Sequence, residues 1–135
     1  MPNRCIEIHD SVLNGIAISG HISELHFSSV YIHQSDGKPG VDQGVGWFQE
    51  AVLRIFGART PDSLPQFPID LMDGQTVLGQ LVSENEIPYP LNHQGKFELR
   101  LIPKWHPDEV LSFIGTGADL TLIGEPSEVE KFPRS

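Results

Sequence analysis

The chain has 135 residues, 39% of them hydrophobic, a formal net charge of −9 and one cysteine. Its length reads as a single domain, residues 1–135, able to bury about two-thirds of its unfolded surface without a disulfide or a metal. One cysteine excludes an intrachain disulfide framework, and no apolar run approaches the ~20 residues of a membrane-spanning helix.

The charge is uneven. Residues 1–59 carry six acids against four bases, and residues 60–135 carry twelve against five. No basic cluster appears, so counterion release on phosphate has nothing to act on, and neither nucleic acid nor an anionic membrane is an expected partner. The start, MPNRCIEIHD, has no apolar signal-peptide core. The expected location is the cytoplasm.

Along the chain, residues 4–10 set Ile6 and Ile8 against Cys5, Glu7 and His9, the alternation of a strand with one apolar face. Asp10-Ser11 reads as a turn or kink, residues 12–20 as a second strand, and Ser19-Gly20-His21 as a hairpin turn. Residues 24–34 form a third strand that is apolar on both sides. Either both faces are partly covered, or a bulge at Ser28-Ser29 switches the parity.

Next comes a loop, residues 35–46, with Gly37, Gly40, Gly44, Gly46 and Pro39. Pro-Gly and Asp-Gly pairs predict tight, ordered turns. Residues 47–56 fit a strand, with Trp47, Gln49, Ala51, Leu53 and Ile55 on one face. They also fit a short helix closed by Gly57. The strand is preferred because its surroundings read β.

Pro61, Pro65 and Pro68 then predict a wandering connection or lid, since proline cannot donate to a sheet ladder. Its apolar residues, Leu64, Phe67, Ile69 and Leu71, would tuck onto the core, and Asp73-Gly74 would end it in a turn. Residues 75–83 read as a strand, and residues 84–95 as extended but poorly paired. Residues 96–103 form the cleanest amphipathic strand, with Phe97, Leu99 and Leu101 inward. Trp105–Val110 is a turn. Two more strands follow, joined at Thr116-Gly117, and the tail adds a short edge strand or one helical turn. Seven to nine short strands and no long helix predict an all-β fold, an antiparallel β-sandwich or partly open barrel.

Chemistry is harder to read. The six histidines, His9, His21, His26, His33, His93 and His106, show no HExxH or HxH spacing, and CxxC is absent. No metal and no cofactor is therefore expected. His9-Asp10-Ser11 holds the residue types of a hydrolase triad, but neighbours on a regular strand point apart, and no GxSxG elbow exists. Cys5 reads as a small buried hydrophobe. Glu84, Glu86, Glu98, Asp108 and Glu109 read as a solvated face.

The central loop offers Asp36, Lys38 and Asp42 beside Trp47 as ligand-binding candidates. It lacks EF-hand spacing, and Lys38 lacks the Ser or Thr that would follow it in a phosphate-binding loop. The leading expectation is a non-catalytic binding or assembly module that meets a partner through residues 35–46 or a sheet face. The alternative is a small β-barrel enzyme with His9, His33, Asp36 and Asp42 lining a pocket. The two-sided apolar strand also motivates a homo-oligomer, most simply a two-fold dimer.

Overall fold

The computed structural model describes residues 3–35, 44–59, 61 and 63–132. Among them there is no helix. Eight strands form one antiparallel sheet: β1 (Asn3–Ser19), β2 (Ile22–Ser35), β3 (Gly44–Phe56), β4 (Ile69–Leu78), β5 (Leu81–Glu84), β6 (Glu86–Tyr89), β7 (Asn92–Pro103) and β8 (Leu111–Phe132). The order is β5-β4-β7-β8-β3-β2-β1-β6, and a further pairing of β4 with β1 joins the sheet into a ring. Residues 47–56 are strand, as preferred. Ala51, Leu53 and Ile55 face a single core shared with Phe27, Phe97 and Phe113.

Several turn-like signals lie inside continuous strands. On β1, Glu7 faces Tyr31 and Val12 faces Ser29, five steps against two on β2. The surplus, His9-Asp10-Ser11, bows out of the ladder around Asp10, whose φ is 74°. At Ser28-Ser29 the predicted bulge is present: Phe27 faces Ala51 and Val30 faces Gln49. The extra residue flips the parity, so Leu25 and Phe27 enter the core from one phase of β2, and Val30 and Ile32 from the other. The outward Tyr31 is also covered, at 7% exposure. Both apolar faces of β2, the motive for expecting a dimer, are thus accounted for within one chain.

The expected turns at Asp73-Gly74 and Thr116-Gly117 are also within strands. Gly74 sits in β4 opposite Leu101, just past a register shift. Gly117 is where β8 changes neighbours, pairing with Gln94 of β7 and Phe56 of β3. The tail continues β8 along β3 as far as the Gly44–Phe132 pair. Residues 75–84 form a hairpin of β4 and β5 about Gly79, and Glu86–Tyr89 pairs with β1.

The ring closes narrowly. β1 and β4 pair only through Val12–Asp70 and Leu13–Ile69. Beyond those pairs the β5–β6 segment fills the widening gap, clasped by Asn85. Its N–H donates to the Gly74 carbonyl (2.8 Å), its carbonyl accepts from Ile8 N–H (3.0 Å), and its Oδ1 accepts from His9 N–H (2.8 Å). Asn85 holds φ 57°, a left-handed conformation that asparagine tolerates better than most residues. Asn85→Ala is therefore expected to cost about 1–2 kcal/mol, from one lost hydrogen bond and a less tolerant backbone. A shifted urea midpoint at unchanged slope would show it.

Candidate functional site

Two places on the outer surface gather chemically capable side chains. The first lies on the outward face of β1 and β2. His9 and His33 both reach Glu7: His9 lies two residues on along β1 and shares its face, and His33, opposite Cys5, is diagonal to Glu7, which pairs with Tyr31. His33 Nε2 lies 2.6 Å from Glu7 Oε2, and His9 Nδ1 lies 3.7 Å from Glu7 Oε1 and 3.1 Å from Asp10 Oδ2. An ionised carboxylate only accepts, so His33 Nε2–H is the donor. That hydrogen bond and the nearby imidazoles hold the Glu7 carboxyl below its ordinary value of 4.5, against the opposing effect of burial. Tyr31 stacks edge-on to His33 at 4.5 Å between centroids, packs on Phe48 at 4.7 Å, and donates to Glu130 Oε2 at 3.3 Å.

The bow at Asp10 changes how His9-Asp10-Ser11 is read. On a regular strand His9 and Asp10 would point apart; positive φ at Asp10 brings them together. Ser11 is no partner to them. It is buried, and its hydroxyl donates to the Glu7 carbonyl at 2.7 Å. Cys5, opposite His33 on the same face, is no thiolate: burial, with Glu86 and Glu7 nearby, pushes its thiol up to about 12. The cluster can orient an imidazole and move a proton, but it presents no activated nucleophile among the described residues. Nor do those residues place three or more His, Cys, Asp or Glu to hold a metal ion.

Glu7→Gln keeps an acceptor for His33 but removes the charge. The expected loss is roughly 1 kcal/mol at neutral pH, since charge-assisted hydrogen bonds are about twice as strong as neutral ones. A carboxyl lowered in the folded state stabilises above its unfolded value. That contribution fades as pH falls through the lowered folded value. The gap between wild type and Glu7→Gln should therefore be full above about pH 5 and close in stronger acid, read from urea unfolding at a series of pH values.

Of the loop candidates, Asp36, Lys38 and Asp42, like Gly40, lie outside the described residues. Trp47 is half-buried on the opposite side of the sheet from His33. It faces the fully buried Ile32 across the ladder, packs against the core, and donates its indole N–H to Gln49 Oε1 at 3.0 Å. His9, His33 and Trp47 thus do not meet in one cavity.

The second place was not anticipated. Between the proline-rich connection and the β7–β8 turn runs a groove of about 450 Å³, walled by Pro65, Phe67, Pro68 and Trp105. Past Glu109 it continues into a hollow of about 420 Å³ beside Leu64 and Val110. Two hydrogen bonds to Asp70, the second residue of β4, hold the turn: Lys104 N–H to its carbonyl (2.8 Å), and the Trp105 indole N–H to its Oδ2 (3.2 Å). Lys104 Nζ lies 5.2 Å from the centroid of the Trp105 ring. Trp105 is nevertheless 69% exposed, unusual for the residue with the largest aromatic side chain. A signal was present in the sequence. A tryptophan between Pro103 and Pro107, in a turn rather than on a strand, has no sheet face in which to hide.

Compared with protein-family models, with curated proteins and with solved structures, the chain shows no significant match.

Proposed function

We propose that this protein is a binding module whose ligand lies in the groove between residues 63–70 and 103–111. The observation that supports it is Trp105: a large aromatic plate left open to solvent, yet fixed in orientation by Asp70 and Lys104. The groove lies in the size range of small-molecule and peptide sites. The chain's single cysteine, Cys5, is buried and fits a reducing compartment such as the cytoplasm, and the chain's acidity disfavours nucleic-acid partners. No helix among the described residues is long and apolar enough to cross a membrane.

A second reading, a small enzyme, is favoured by one observation, the 2.6 Å contact between Glu7 and His33 with His9 beside it. Backbone amide shifts recorded during a ligand screen separate the two. Ligand-dependent shifts confined to residues 63–70 and 103–111 support the groove. Shifts centred on Glu7, His9 and His33, with the groove silent, would overturn it in favour of the enzyme.

A further inference from the structure

We infer that the groove takes a neutral saccharide, stacked on Trp105; this rests on the binding-module reading and names its ligand class.

A purely apolar ligand, such as a hydrophobic peptide, would cover Gln66, Asp70, His106 and Glu109, all of which line the same space as Trp105. Without hydrogen-bond partners on the ligand, their desolvation would oppose binding. An anionic ligand would meet the Asp70 and Glu109 carboxylates in a chain already carrying a net charge of −9. A cationic ligand would compete for the indole with Lys104, whose ammonium is already in contact with the ring.

A neutral polyhydroxylated ring meets none of these penalties. Its flat C–H face can lie on the indole, while its rim of hydroxyls both donates and accepts. Asp70 and Glu109 supply acceptors, Gln66 and His106 supply both functions. Asp70 uses Oδ2 for the indole N–H, leaving Oδ1 for a ligand hydroxyl. The plate is also pre-set: holding Trp105 from two sides lowers the ordering cost of stacking. The second hollow past Glu109 extends the track, so a chain of sugars fits better than a single one.

The test uses the whole protein against an immobilised panel of neutral oligosaccharides of glucose, xylose and mannose, with a panel of proline-rich and of charged peptides alongside. The expected result is retention on one saccharide series. Trp105→Ala should weaken that retention by on the order of tenfold or more, as for a stacked anchor residue. Trp105→Phe, which keeps an aromatic face, should retain more of it. Because Trp105 is exposed and the Lys104 N–H bond to the Asp70 carbonyl still holds the turn, both variants should unfold close to the wild-type denaturant midpoint, which checks that a loss is not misfolding. Peptide retention that depends on Trp105, with no saccharide retained, would overturn the saccharide assignment but keep the groove. Retention on any probe that is indifferent to Trp105→Ala and Asp70→Asn would overturn both.

Discussion

Phe113→Ala is expected to destabilise the protein by about 3–5 kcal/mol, the usual cost of emptying a buried phenylalanine site. Phe113 is fully buried on β8, paired with Leu99 of β7, and belongs to the one core cluster to which seven of the eight strands or their flanking residues contribute. Domains of this kind are stable by only about 5–15 kcal/mol, so the loss would be a large share of the total. The cavity cannot collapse easily, because the strands around it are tied to neighbours on both sides. Urea unfolding should show a much lower midpoint. Phe113→Leu, which keeps most of the volume, should lose far less, about 1 kcal/mol. Equal losses in the two variants would mean that the site is not packed as described.

Gly74→Val should also destabilise, less severely and for the opposite reason. A Cβ at this position would lie 2.4 Å from the Arg100 carbonyl oxygen and 2.9 Å from Ile8 Cδ1. The first atom is backbone of the adjacent strand and has nowhere to go; the second is a side-chain tip. Overpacking of this sort costs about 1–3 kcal/mol, and here it also strains the carbonyl that accepts from Asn85. Combining Gly74→Val with Ile8→Val separates the two contacts. The pair should recover only the side-chain share, so a full return to wild-type stability would show that the Arg100 carbonyl yields.

How much of this was legible beforehand differs from element to element. Period-two alternation located the cores of β1 and β7, the two-sided apolar content marked β2, and β surroundings decided β3. The Ser28-Ser29 bulge was legible because the apolar phase of β2 changes there. What misled was local backbone chemistry. Asp10-Ser11, Asp73-Gly74 and Thr116-Gly117 carry turn signatures, but a bulge, a close approach and a change of neighbour demand the same unusual residues as a reversal does. Only the pairing partners, distant in the chain, tell these apart. His9 and His33 were named from residue type alone. What joins them is Glu7: His9 shares its face by parity, but His33 meets it only through the β1–β2 register, which sets Cys5 opposite His33 and is not visible in either strand alone. The groove was missed because its walls, residues 63–70 and 103–111, are far apart in sequence and periodic in neither.

The long β8 has a consequence for synthesis. It is hydrogen-bonded to β7 along its first half and to β3 along its second. Until residues 111–132 leave the ribosome, β3 has β2 on one side and nothing on the other. β4 and β7 can pair as a separate sheet, but no ring can form. At about 5–20 residues per second, the nascent chain spends several seconds with the apolar face of β3 and its open edge uncovered. That interval is the one in which a chaperone would find this chain, and a ribosome stalled before Leu111 should present a protease-sensitive, chaperone-bound intermediate rather than a folded one.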